Sequence, residues 1–149
     1  MSARIAAATL QERRHQALGT AVLSYVGLLG RILFSAIFIM SGPNHFKAET
    51  IGFAAAQGVP LASIAVPLSG IIALLGGLSI ALGYRAKLGA WLIVLFLVPV
   101  TLMLHRFWGL SDPQATGLQL AMFMKNLSIL GAALLITQVG SGPRSLKQD

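Results

Sequence analysis

In the sequence AVLSYVGLLGRILFSAIFIMSG, from Ala21 to Gly42, Arg31 is the only residue that carries charge at neutral pH. A run of this length matches the roughly 20 apolar residues with which an α-helix crosses a hydrocarbon core. Further along the chain, Gly and Pro residues delimit three more apolar runs, at about 60–83, 88–108 and 118–139. Because backbone amides in lipid must find partners within their own segment, each run is predicted to be a helix.

The composition is that of a chain embedded in lipid. Apolar residues make up 56% of its 149 residues and the charged types only 10%, whereas about a quarter of a soluble domain is charged. The sequence therefore predicts an all-α fold, a polytopic membrane four-helix bundle over residues 21–139. Residues 1–20 are predicted to form a cytoplasmic segment, either an amphipathic surface helix or a disordered tail, and residues 140–149 a cytoplasmic tail.

The basic residues predict the orientation. Of the eleven Lys and Arg residues, seven fall on one side of the predicted spans and two on the other, and this bias places both termini in the cytoplasm. The seven are Arg4, Arg13, Arg14, Arg85, Lys87, Arg144 and Lys147, and the two are Lys47 and Arg106. The same charges favour contact with anionic lipid. A nucleic acid is not a predicted partner, because the charges form no stripe on a soluble face.

The second span carries a face of small side chains, which favours close packing of another helix. The residues on this face are Ser69, Ala73, Gly76, Gly77 and Ala81. Two prolines, Pro67 and Pro99, each remove a helical hydrogen bond and are expected to bend their helices. Such bends either open a pocket in the outer half of the membrane or leave only a kink.

Arg31 is the residue hardest to reconcile with lipid. It lies ten residues before Ser41, about 15 Å of helix rise, and so near mid-depth of its predicted span. The four acidic residues all lie outside the spans, at Glu12, Glu49, Asp112 and Asp149. An unpaired cation at the bilayer centre costs about 2.5–3.5 kcal/mol on insertion scales. Four kinds of group could balance the charge: carbonyls freed by Pro67 or Pro99 together with hydroxyls such as Ser35, lipid phosphate and water, an acidic or carbonyl-bearing ligand, or a carboxylate on a second protein.

Further polar residues are predicted near the outer boundary of the membrane, where with Arg31 they are candidates for binding a ligand or a partner. They are Asn44, His45, His105, Lys125 and Asn126. The two histidines lack the paired spacing of metal or haem ligands, so no metal is predicted and interfacial hydrogen bonding is preferred. The chain has no Cys, and it offers no Ser-His-acid set, phosphate loop or intramembrane carboxylate pair, so no catalytic residue is assigned.

Several short motifs also follow one another in a particular order. They are Gly30-Arg31 in a helix that ends at Ser41-Gly42, the Gly76-Gly77 pair, His105 closing the third helix, and Lys125-Asn126 leading into the fourth. This order, over about residues 27–143, resembles the DoxX family of small bacterial four-helix membrane proteins. The resemblance implies an inner-membrane protein. In some relatives it implies a subunit of a thiosulfate:quinone oxidoreductase, and in others a partner within a membrane-associated oxidoreductase complex.

One position departs from that family pattern. Relatives often carry an acidic residue shortly before the paired glycines of the second helix, and this chain has Ala73 there. The resemblance would make such an acid the mate of Arg31 and a candidate proton carrier, so its absence weakens a catalytic interpretation of this chain. It favours the view that Arg31 is met by backbone or by a group from outside the chain.

Three functions remain open from the sequence. The favoured one is an accessory or anchoring subunit of a membrane complex, redox or respiratory in kind, that has other membrane subunits as partners and no catalysis of its own. The first alternative is a component of a quinone-linked oxidoreductase, with quinone as the candidate cofactor. The second is a binder or carrier of a small anion that uses Arg31 and Lys125 as its cationic site.

Overall fold

The computed structural model describes residues 2–147, and the side chains of residues 2–10 and of Glu12 lie outside its description, so the predicted amphipathic character of residues 1–20 is largely untested. The last two residues of the predicted 140–149 tail also lie outside it. Its elements are α1 (Ser2–Ser41), a 3₁₀ helix (Gly42–Phe46), α2 (Ala48–Ala56), α3 (Ala62–Leu82), α4 (Ala86–Leu104) and α5 (Pro113–Val139). Four stretches are long and apolar enough to cross a membrane, at Arg13–Phe46, Ala62–Leu82, Ala86–Leu104 and Pro113–Val139. The prediction of an all-α chain with four candidate spans is confirmed.

The last helix begins earlier than the apolar pattern predicts. It starts at Pro113 rather than near residue 118, because the local sequence forms a strong helix start. The backbone N–H of Ala115 donates to Asp112 Oδ2 at 2.8 Å, and proline suits the first helical position because its missing N–H would have had no partner there. The first turns of α5 therefore extend beyond the end of α4.

The third span ends earlier than predicted. α4 stops at Leu104, so the His105–Trp108 segment, which the sequence assigns to the span, lies in the loop before α5. The rings of Phe107, Trp108 and Phe123 pack edge-on against one another there, with centroids 5.2, 5.4 and 6.0 Å apart. This aromatic cluster fixes the loop against α5.

The four long helices pack in the order α1–α3–α4–α5. α3 lies between α1 and α4, and α4 lies between α3 and α5. The core where they meet is small and apolar, and it consists of Phe38, Ala73, Ile80, Ala90, Ile93, Phe96, Leu97 and Ala133. Most of the remaining large apolar side chains on the long helices are exposed, as expected where lipid replaces water as the solvent.

Two adjacent glycines let α3 approach a helix on each side. A Cβ added to Gly76 would lie 2.9 Å from the backbone oxygen of Gly89 on α4, and one added to Gly77 would lie 3.1 Å from Phe38 Cβ on α1. Ala73, on the same face, is fully buried, whereas Ser69 and Ala81 are only half-buried. The small-residue face of the sequence analysis therefore lies at helix contacts in its middle part.

The bundle has two ends, which are named here by one residue each. The Arg31 end contains the α3–α4 turn and the C-terminal segment, Gly140–Lys147. The His45 end contains the 3₁₀ helix, α2 and the α4–α5 loop. These two ends hold the polar residues singled out in the sequence.

Candidate functional site: a histidine-lined cavity and a capped arginine

The guanidinium group of Arg31 is held by the C-terminal segment of its own chain. Its Nη1 donates to the backbone oxygen of Pro143 at 3.1 Å and to Ser145 Oγ at 2.7 Å, and its Nη2 donates to the backbone oxygen of Arg144 at 2.8 Å. The side chain is only 7% exposed. Backbone carbonyls aligned on a planar guanidinium supply partial negative charge without a carboxylate, so both terminal nitrogens find acceptors within the chain. The buried Nε has no hydrogen-bond partner within residues 2–147.

Several bonds hold the C-terminal segment in place for this role. The backbone N–H groups of Leu146 and Lys147 donate to the backbone oxygens of Leu82 and Gly83, each at 3.1 Å. Arg144 Nε donates to Ser24 Oγ at 2.8 Å, and its guanidinium lies 3.6 Å from the centre of the Tyr25 ring. The segment thus ties α1 to the end of α3, with Arg31 at the centre of the contact.

Two expectations about Arg31 need correction. Ser35 is not its acceptor, because Ser35 Oγ makes no hydrogen bond within residues 2–147, and the carbonyls that bind it come from the C-terminal segment rather than from the proline kinks. Nor is Arg31 level with the middle of the bundle. A Cβ on Gly77 would lie 3.4 Å from Ser35 O, and Arg31, one turn along antiparallel α1, is therefore near the end of α3 at Leu82.

His45 lies at the opposite end and lines a cavity. The cavity has a volume of about 220 Å³ and an almost wholly apolar wall from α2, α3 and α4, with Thr50 and Ser69 as the other polar side chains. The 3₁₀ helix can bring His45 close to α3 because residue 70 is glycine: an added Cβ there would lie 2.6 Å from His45 Cβ. Against the ring of Phe96, the imidazole packs edge-on with centroids 5.6 Å apart.

Pro99 is the sequence signal that pointed to this cavity. It lies within α4 and lines the cavity wall, whereas Pro67 does not. The pocket that the sequence left as one of two outcomes is therefore present, and it lies at Pro99. Sequence reasoning missed Thr50, which follows Lys47 and Glu49 in a polar stretch, and did not connect Ser69, which lies in an apolar span, to a site. The two meet only when the 3₁₀ helix and α2 fold over α3.

The other polar candidates do not join His45. His105 Nδ1 lies 3.0 Å from Gln119 Oε1, and Asn126 Nδ2 donates to Thr101 Oγ1 at 3.1 Å as a buried link between α4 and α5. Asn44 is exposed. In the structure, the residues of the predicted outer polar cluster are therefore separated: His105 contacts α5 from the loop, Asn126 links α4 to α5, and His45 lines the cavity. Within residues 2–147, no group of three His, Asp or Glu side chains is placed to hold a metal ion.

Lys125 and Arg31 lie toward opposite ends of the bundle, which corrects the idea of one anion site built from both cations. The neighbour of Lys125, Asn126, is level with Thr101, three residues before α4 ends at the His45 end. Lys125 is exposed, and its Nζ lies 3.5 Å from Met122 Sδ. Because Arg31 is bound by the segment beyond the far end of α5, the two charges do not share a site.

The chain is similar in sequence to one protein family and to two inner-membrane proteins of a bacterium. The DoxX family model matches residues 26–106. The chain is 29% identical over 121 residues to the inner membrane protein YphA of Escherichia coli, a match that covers 80% of this chain and 86% of the relative. It is 31% identical over 121 residues to the inner membrane protein YqjF of the same organism, covering 80% and 87%.

A shorter similarity reaches a eukaryotic protein. Over 78 residues the chain is 28% identical to the ER-derived vesicles protein ERV29 of Saccharomyces cerevisiae, which covers 52% of this chain and 25% of that protein. No solved structure matches the chain. With more than half of its length matched by the family model and four candidate spans, the chain belongs to the DoxX family and is a multi-pass protein of the inner membrane.

Proposed function

We propose that the protein is an accessory subunit of a membrane redox assembly, without catalysis of its own, and that it holds a quinone-class molecule in the His45 cavity. The observation that carries this proposal is the cavity itself, an apolar space of about 220 Å³ with a histidine ring in its wall. Small-molecule sites are typically concave and apolar, with a few polar groups that fix the orientation of the ligand. The resemblance to quinone-linked relatives supplies the redox context.

Partner subunits are proposed to pack on the outer helices. On α5, a Cβ added to Gly117 or Gly131 would meet nothing within 4 Å, and Ser128 is also exposed. Small exposed residues allow the backbone of a partner helix to approach closely in lipid. Purification in a mild detergent is expected to recover the protein with stoichiometric partner subunits. Migration of the protein as a lone monomer from native membranes would count against the accessory role.

We also propose that the Arg31 end faces the cytoplasm, with both termini on that side. The Lys and Arg residues in or next to the loops and the C-terminal segment are unevenly divided. Arg85, Lys87, Arg144 and Lys147 belong to this end, whereas Lys47 and Arg106 belong to the other. An excess of Lys and Arg marks the cytoplasmic side of membrane proteins and attracts anionic lipid headgroups. The His45 cavity then lies in the outer half of the bilayer.

The quinone proposal is tested by thermal unfolding of the purified protein in lipid nanodiscs, with a short-chain quinone supplied in its oxidised and in its reduced form. A ligand that binds only the folded state stabilises it by about 2.7 kcal/mol at one hundred times its Kd. We expect at least one of the two forms to raise the Tm in a saturable way. His45→Phe, which keeps a ring against Phe96 but removes both ring nitrogens, is expected to reduce this shift severalfold.

His105→Phe is the matched control. It makes the same chemical change at the same end of the bundle, but His105 pairs with Gln119 and does not line the cavity. The quinone-induced shift should persist in this variant. If neither redox form changes the Tm of the wild-type protein at concentrations up to its solubility limit, the cavity does not bind quinones and this part of the proposal is wrong.

A further inference from the structure

The hydrogen bond made by Nδ1 of His45 determines whether Nε2 of the same ring is a donor or an acceptor. His45 Nδ1 lies 3.2 Å from the backbone oxygen of Ser41. A carbonyl oxygen can only accept, so Nδ1 must carry the proton, and in the neutral ring Nε2 is then an acceptor with a free lone pair. Among the described residues, no hydrogen bond to Nε2 is found. Because His45 is part of the cavity wall, this lone pair is the acceptor that the ring has left for an occupant.

A second polar side chain of the cavity is restricted in the same way. Ser69 Oγ donates its proton to the backbone oxygen of Val66 at 2.7 Å. A serine hydroxyl has one proton, so the oxygen can offer a ligand only its lone pairs. Of the three polar side chains in the wall, Thr50 alone keeps a hydroxyl that is not used within residues 2–147. His45 and Ser69 thus present acceptors to the cavity, and Thr50 is the one polar side chain in its wall with a proton left to donate.

We infer that the cavity selects apolar molecules that carry a hydroxyl group, such as phenols, alcohols and the reduced form of quinones, over their ether or carbonyl counterparts. A hydroxyl can donate to His45 Nε2. An ether or carbonyl oxygen at the same place would set lone pair against lone pair and leave both desolvated without a partner. This inference rests on the proposed function, since it names the form of ligand that the same cavity prefers.

The test uses a redox-inert pair of probes, a 4-alkylphenol and its methyl ether, in which a methyl group replaces the hydroxyl proton. Binding of each to the protein in nanodiscs is measured by calorimetry at about pH 8. The phenol is expected to bind about tenfold more tightly than the ether, the ratio that corresponds to one hydrogen bond. In His45→Phe the ratio should fall severalfold, mainly through weaker phenol binding, because Ser69 is then the acceptor that remains, and in His105→Phe it should stay near tenfold.

The possible results distinguish the selectivity for hydroxyl groups from the proposed ligand site itself. Equal binding of phenol and ether by the wild-type protein would overturn the selectivity while leaving the cavity as a ligand site. An undiminished ratio of phenol to ether affinity in His45→Phe would overturn the assignment of the preference to His45. Binding of neither probe, together with no quinone-induced change in Tm, would overturn the proposed ligand function and the inference with it.

Discussion

Arg31→Ala is expected to destabilise the protein by about 3 kcal/mol, because three hydrogen bonds from a charged donor are lost and two carbonyl acceptors are left without it. For a chain of this length, such a loss lowers the Tm by roughly 6–12 °C. The affected acceptors are the backbone oxygens of Pro143 and Arg144 and the hydroxyl of Ser145. Thermal unfolding in detergent, followed by circular dichroism, measures the change.

A second readout separates release of the C-terminal segment from general destabilisation. Arg144 and Lys147 are trypsin sites within that segment, and well below the Tm they should be cleaved faster in Arg31→Ala than in the wild-type protein. Arg31→Lys keeps the charge but not the planar fork, and is expected to lose about half as much stability. Arg106→Ala is the control, because Arg106 is exposed and donates to a single carbonyl, that of Gln57. Unchanged cleavage at Arg144 in Arg31→Ala would mean that Arg31 does not hold the segment.

Gly76→Val is expected to destabilise the bundle by about 3 kcal/mol or more, since overpacking a tight contact forces the helices apart. The first added atom already meets Ile93 Cδ1 at 2.8 Å and the backbone oxygen of Gly89 at 2.9 Å. The isoleucine can rotate, but the carbonyl belongs to α4 and cannot yield unless that helix moves. Differential scanning calorimetry of the variant in nanodiscs tests this, with a lowered Tm or loss of the folded protein as the expected result.

Gly131→Val makes the same change on the exposed side of α5, where an added Cβ meets nothing within 4 Å. In the protein purified without partner subunits, its Tm should stay within about 2 °C of the wild type, because valine is slightly better than glycine in a helix and nothing within the chain is displaced. A large decrease in Tm in both variants would show that placing valine in a helix is destabilising in itself, without regard to the α3–α4 contact. A negligible loss at Gly76 would contradict the close α3–α4 contact.

The spans were predictable from the sequence because each is long, apolar and bounded by Gly or Pro. The level of Arg31 along the bundle was not predictable in this way. The sequence estimate measured it from the apolar run of α1 alone, whereas the level of a residue in the bundle is set by the neighbouring helices, and α3 ends near Leu82. The acceptors of Arg31 could not be predicted either. They are backbone carbonyls more than one hundred residues away, and a search for acidic residues does not detect them.

The candidate site was only partly predictable. His45 was singled out because it follows the first span, and Pro99 because a proline interrupts a helix, but nothing along the chain connects them. Gly70 makes the connection in space by letting the 3₁₀ helix reach α3. His105 and Asn126 shared the polar signal of His45 and instead bond across helices. Residue type alone does not distinguish a ligand group from an interhelical hydrogen bond.

The proposed function places a ligand in the His45 cavity, and the structure places the Arg31 guanidinium against the C-terminal segment of its own chain. A cryo-EM density map of the protein in native lipid nanodiscs tests both assignments at once. We expect non-protein density beside the His45 ring, and the backbone of residues 143–145 against the Arg31 guanidinium. A C-terminal segment detached from Arg31, with non-protein density on that guanidinium and none beside His45, would contradict both assignments.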